Sequence, residues 1–298
     1  MAEHILENDY LKVTIEDKGA ELVSVYDKET GMERIWCANP DIWNRHAPIL
    51  FPFVGKVNNG VYRHEGIEYE MKTQHGFARD KEFQLVTKEE KRIVHCFKAD
   101  GDTFKIYPFD FELYVSHSFS EENPRVLEVK WEIKNNGDMD MYYSIGGHPG
   151  FAIPVNNKWR REDYLIEIPE KAFAHYILIH SKTGLALPDK TYPLVLNRNA
   201  CHIARNMFDK DALIFENSQM HTVRILKPDR EPFVSVYCAG FPYVGIWSKG
   251  EADFVCIEPW YGRTDDDGYT GELKDKAGEM KLLAGECKVI SYGIEFHK

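Results

Sequence analysis

Polar and apolar residues alternate along much of this chain, most regularly where Leu127, Val129, Trp131 and Ile133 are interleaved with Glu128, Lys130, Glu132 and Lys134. A period of two puts one set of side chains on each face of a β-strand, one face dry and one wet. The Asn135-Asn136-Gly137 turn that follows leads into residues 139–145, and the spacing predicts a hairpin there. The same alternation marks Leu11, Val13 and Ile15. Residues 21–26 run into a turn at 27–31, and residues 61–69 fold about His64-Glu65-Gly66. Strands at 233–238 and 289–296 carry the pattern to the end. No long window shows a capped 3.6-residue apolar repeat, and no regular helical segments separate the strands, so a βαβ architecture is disfavoured. The expected fold is all-β, a large antiparallel β-sandwich. With no composition break, linker or repeat, residues 1–298 are read as one domain, with a polar loop at 154–161 able to extend from it.

Composition narrows the partners. Hydrophobic residues make up 43% of the chain and aromatics 13%, enough for a sizeable core. A formal net charge of -11 with no basic stripe argues against nucleic acid. The first thirteen residues lack a basic region followed by an apolar run, and nowhere is there an apolar stretch of the ~20 residues a membrane helix needs, so a cytoplasmic protein with no membrane partner is expected. Cys37, Cys96, Cys201, Cys238, Cys256 and Cys287 are scattered, without a Cys-x-x-Cys pair. Reduced, mostly buried thiols fit better than zinc or redox chemistry.

Three short segments combine titratable groups with glycine, proline or aromatic neighbours: Gln74-His75-Gly76-Phe77-Ala78-Arg79-Asp80, Gly146-Gly147-His148-Pro149-Gly150-Phe151 and Cys256-Ile257-Glu258-Pro259-Trp260-Tyr261-Gly262. Glycine lets backbones approach, proline fixes a turn, and an aromatic face can support the apolar side of a sugar ring. Taken singly, each has a bland reading. A histidine beside glycine is commonly a turn or core residue, and Glu258 would be a strand-end carboxylate paired with Arg263.

Together these segments resemble the aldose 1-epimerase family, and the resemblance runs from Gly19-Ala20-Glu21-Leu22 to Gly285-Glu286. The stretch from Pro48 to Lys56 (Pro-Ile-Leu-Phe-Pro-Phe-Val-Gly-Lys) is similar to the family's first substrate-loop segment, and the His75, His148 and Glu258 segments follow in family order. The contexts of Trp36, residues 48–56, His75 to Arg79 and Gly245-Ile246-Trp247 look closest to the bacterial LacX-like branch. The resemblance implies a galactose mutarotase-like sandwich, with Glu258 as general base, His148 as general acid, and His75 as a second histidine that binds and orients the sugar. Asp211 matches the substrate-binding aspartate. Lys56 stands where the family commonly has arginine, and it cannot reproduce a planar two-pronged contact. Lys56 and Arg79 together would suit an anionic group, whereas Arg79 paired with Asp80 would leave a neutral hexose as substrate.

Mutarotation needs one group to take the O1 proton and another to protonate O5, so that the ring opens and recloses on the other face. A histidine of ordinary pKa and an ionised Glu258 would serve, with no cofactor and no metal. The only partner implied is a small-molecule sugar, and the chain is expected to be a monomer or homodimer. Four other readings stand beside this one. A hexose-6-phosphate mutarotase uses the same chemistry on a phosphorylated sugar. A glycoside hydrolase would pair Glu258 with Asp211. A noncatalytic carbohydrate-binding protein would use Trp260 and Phe151 as a platform. A metal site would recruit two histidines with Glu258 or Asp211.

Overall fold

The computed structural model describes residues 2–154, 158–169 and 171–298; of the polar loop expected at 154–161, residues 155–157 lie outside the described residues. Apart from five single 3-10 turns, every regular element among the described residues is a β-strand, and all pairings within the sheets are antiparallel. A nine-stranded sheet has Phe111–Phe119, Val126–Asn135 and Cys287–Phe296 at its heart, and an eight-stranded sheet contains Tyr243–Trp247, Phe254–Tyr261, Ile145–Gly147 and Ile49–Leu50. A four-stranded sheet formed by residues 3–33 and two short ribbons complete the architecture.

The alternation at Val126–Asn135 does what its period demands: Leu127, Val129, Trp131 and Ile133 are buried and the residues between them are not. Trp131 sits opposite Val115 on one neighbour and Ile290 on the other, both apolar, so this face joins the main core. The turn at His64-Glu65-Gly66 also forms as expected, pairing His64 with Ile67 through positive φ at Glu65 and Gly66.

The hairpin expected at 127–145 does not form. Val126–Asn135 pairs with Phe111–Phe119 and Cys287–Phe296, whereas Met141–Tyr143 pairs with Met280–Leu282. Asn135 explains the departure, because its side-chain amide donates to the carbonyls of Met139, Leu282 and Leu283 and carries the chain across to a different partner. All six cysteines are free; Cys96, Cys238 and Cys256 are buried, while Cys37 and Cys287 are exposed. No helix among the described residues is long and apolar enough to cross a membrane.

Candidate active site

The site is built on strand Phe254–Tyr261, seven of whose eight residues are buried. Glu258 and Trp260 are two apart and project to one face of it. Glu258 lies opposite Gly245 on the neighbouring strand. A β-carbon on Gly245 would come within 2.4 Å of the Trp260 ring, and one on Gly146 would do the same. The indole therefore lies flat across two glycines, and only glycine at both positions lets it do so.

Two loops bring the histidines to this face. His148 follows strand Ile145–Gly147 and points its Nε2 at Glu258 Oε2, 3.2 Å away. That Glu258 oxygen makes no aligned hydrogen bond and the residue is 1% exposed. His75 is held by a reciprocal clasp: its backbone N–H donates to the Gly55 carbonyl at 2.6 Å, and the Gly55 N–H donates to His75 Nδ1 at 3.0 Å. Because Nδ1 is an acceptor, the neutral ring carries its proton on Nε2, and the Gln74 side-chain amide 3.0 Å away accepts it only when turned to present its oxygen there. Next to it, a β-carbon on Gly76 would lie 2.2 Å from the Phe51 carbonyl oxygen, and its φ of +68° favours glycine as well. The His75 and His148 rings meet edge to face with centroids 5.5 Å apart.

These groups open into a cleft of about 550 Å³ that Asp211 and Arg79 also line. Asp211 is exposed, with positive φ and its carboxylate capping the Ala212 N–H. Lys56 is not among the lining residues. Its stem runs along Gly184, while its backbone N–H donates to the Thr264 hydroxyl and its carbonyl accepts the Asp265 N–H. Arg79 lies 3.9 Å from Asp80, whose carboxylate is engaged at 2.6 Å by Arg45, and Arg79 Nε is buried with no hydrogen-bond partner. Glu258 is not paired with Arg263, which instead engages Glu216 and Asp266. Phe151 is wholly buried in the main core and cannot offer a face to a sugar, whereas Trp260 can.

Gln74 and Trp247, which lie within the segments quoted above, line the same cleft, as do Trp43 and Arg45, which were not singled out from the sequence. Trp43 stacks on His148 at 4.9 Å, and Trp247 meets it edge-on at 5.7 Å. The run Trp43-Asn44-Arg45-His46, an aromatic beside polar and basic residues just before the substrate-loop segment, is the signal that could have found Trp43 and Arg45.

The electrostatics differ from the expectation of an unperturbed histidine and a simply ionised glutamate. Burial, aided by the Arg79 charge, drives His148 down to about 3. Burial and the negative charge of Asp211 push Glu258 well above the usual carboxylate range. Both effects disfavour charge in a dry site. At 3.2 Å the two groups are close enough to share a proton, and their titrations belong to the pair rather than to either residue alone. Burial and nearby cations, Arg79 first, also keep His75 well below its ordinary range, so it serves as a neutral donor.

Among the described residues, the groups whose metal-ligating atoms cluster within 4.8 Å are His148, Cys256 and Glu258, and, away from the cleft, His4, Asp17 and His95. Neither contains the pair of cleft histidines that a sequence reading of a metal site needs.

The chain belongs to the aldose 1-epimerase family, whose sequence model matches residues 3–270. It is 29% identical to the chromosomal LacX protein of Lactococcus lactis subsp. lactis, with 97% of each chain covered. A galactose mutarotase related enzyme from Lactobacillus acidophilus superposes with a TM-score of 0.91 at 32% identity, over 100% of this chain and 98% of that one. A galactose mutarotase-like protein from Lactobacillus casei gives 0.89 at 27% identity, over 99% and 100%. Family and fold are those of mutarotases.

Proposed function

We propose that this protein is a cytoplasmic aldose 1-epimerase that interconverts the α and β anomers of a hexose, with Glu258 and His148 as its proton-transfer pair. The observation that carries the reading is the 3.2 Å approach of His148 Nε2 to Glu258 Oε2 beside an indole floor in an open cleft. Glu258 as carboxylate takes the proton of the anomeric O1 hydroxyl as the C1–O5 bond breaks, and protonated His148 gives its proton to O5. The pair begins and ends with one proton, moved from histidine to glutamate. Rotation of the aldehyde and closure on the other face reverse both transfers. Burial favours the neutral acid and neutral imidazole, which is the state reached when the ring has opened. The His75–Gln74 pair lines the cleft and orients the bound sugar, and Asp211 and Arg79 hold hydroxyls at the rim.

A neutral aldohexose such as galactose or glucose is the proposed substrate, and the names of the relatives favour galactose. A hexose 6-phosphate is the second reading. It is favoured by Arg45 and Arg79 standing together beside the single carboxylate of Asp80, with Arg79 Nε unpartnered. The test is to dissolve pure anomers of glucose, galactose and their 6-phosphates and follow optical rotation or NMR. Accelerated anomer exchange of a free hexose, with a higher kcat/KM than for its phosphate, is expected. Preference for the phosphates, selectively lost in Arg79→Met, would replace the neutral substrate, and binding without acceleration would leave a sugar-binding protein. Release of reducing sugar from a glycoside would establish hydrolysis instead.

A further inference from the structure

Cys256 lies two residues before Glu258 on the same strand and therefore on the same face, directly beneath the His148 loop. Its sulfur, a His148 ring nitrogen and a Glu258 oxygen all lie within 4.8 Å of one another. All three residues are buried, with Cys256 at 0%, Glu258 at 1% and His148 at 7% exposure, and Glu258 Oε2 has no hydrogen-bond partner. The 3.2 Å between His148 and Glu258 is the separation a tetrahedral ion would need, since bonds of about 2.0 Å place two ligands roughly 3.3 Å apart. The sulfur completes a three-ligand set from one side, while the cleft leaves a fourth position open on the other.

We propose that His148, Cys256 and Glu258 form a binding site for a zinc-class divalent ion, which blocks the sugar cleft by occupying the two groups that move protons. Nitrogen, carboxylate oxygen and thiolate together suit zinc or cobalt and disfavour magnesium, which takes oxygen ligands. Binding forms metal–sulfur, metal–nitrogen and metal–oxygen bonds and releases to solvent both the Cys256 thiol proton and the proton shared by His148 and Glu258. The ion is an inhibitor rather than a participant, so a chelator never lowers turnover and restores it where the ion is bound. The blocking effect rests on the proposed mutarotase reading; the binding itself does not.

The experiment uses the full chain under reducing conditions, with the exposed Cys37 and Cys287 and the part-exposed Cys201 all replaced by serine, which leaves only the buried Cys96, Cys238 and Cys256. Cobalt(II) chloride is titrated while the near-ultraviolet sulfur-to-cobalt charge-transfer band is read, and zinc or magnesium chloride is then added. One thiolate-bound cobalt per chain, displaced by zinc but not by magnesium, is expected. Cys256→Ala should abolish the band and weaken metal binding at this site at least ~100-fold. Should that variant not fold, Glu258→Gln should keep the band but weaken binding by roughly 10- to 100-fold. The His4, Asp17 and His95 cluster contains no thiol and cannot produce the band. Absence of the band in the parent protein, or its survival in folded Cys256→Ala, overturns the proposal. Zinc should also inhibit anomer exchange in competition with sugar. A band without exchange activity removes the mutarotase reading and keeps the metal site; exchange activity without a band does the reverse.

Discussion

Two buried carboxylates in this molecule make an instructive pair. Glu279 has no exposed side-chain area, yet its Oε2 accepts the Ser144 hydroxyl at 2.7 Å and stands 3.2 Å from the Lys276 ammonium. Glu258 is as deeply buried but has no lysine or arginine beside it, and its Oε2 has only a misaligned histidine. Burial raises the pKa of both. At Glu279 Lys276 and Ser144 oppose the rise against a smaller push from Asp265, whereas at Glu258 the charge of Asp211 adds to it and only the Trp260 indole opposes it. A buried charge that the fold has already paired is part of the scaffold. One left short of partners keeps its bonding capacity for something that arrives from outside.

Exchanging each acid for its amide tests this contrast. Glu258→Gln should lower kcat for anomer exchange by ~10² to 10⁴-fold, and His148→Asn by a similar factor, with melting temperatures close to that of the parent. A folded Glu258→Gln protein with normal kcat, measured free of host mutarotase, removes Glu258 from its role. Glu279→Gln should act the other way, costing about 2 kcal/mol of stability in urea unfolding by weakening a charged partner of Lys276, which keeps the Arg263 carbonyl and Asp265 4.0 Å away, while kcat in the folded fraction changes little. An activity loss there without a stability loss would dissolve the distinction between the two acids.

Smaller effects sharpen it. His75→Asn keeps an acceptor for the Gly55 N–H but displaces the ring that orients the sugar, and should raise KM and lower kcat by roughly tenfold each. Lys56→Met should leave kcat/KM for a neutral hexose within about threefold, since the side chain lies off the cleft lining. The weakest dependence should be on pH. Adding a second proton to the pair would bury a net positive charge, and removing the last would bury a net negative one. The acid limb therefore falls below the ordinary histidine value of 6.5 and the alkaline limb above the ordinary glutamate value of 4.5, as the directions of both shifts require. A pH–rate profile reads both limbs, and each is expected on the shifted side of its ordinary value. A limb near pH 6.5 would show that His148 titrates alone.

Much of this was legible in the sequence because it is local. Alternation at Val126–Asn135 and turn chemistry at Glu65-Gly66 act within a few residues, and the order of the His75, His148 and Glu258 segments pointed to the family. The missed features depend on distant partners. The turn after Asn135 reads as a hairpin until Leu282 and Leu283, some 150 residues on, are present to accept its amide. Trp43 and Arg45 lie outside any alternating stretch and become site residues only because their segment folds over His148. The reversal of the acid and base pKa values follows from how dry the cleft floor is, which no single segment records.

The indole of Trp260, laid flat over Gly146 and Gly245, sets a condition of equilibrium as well as of shape. Two anomers differ in configuration at one carbon, and a catalyst that gripped one far more tightly would stall on whichever form it retained. Under the proposed reading, a planar apolar support would meet the ring's carbon face rather than grip the hydroxyl that inverts. Discrimination is then left to the rim, where Asp211 and Arg79 can read the other hydroxyls, which do not change as the anomers exchange.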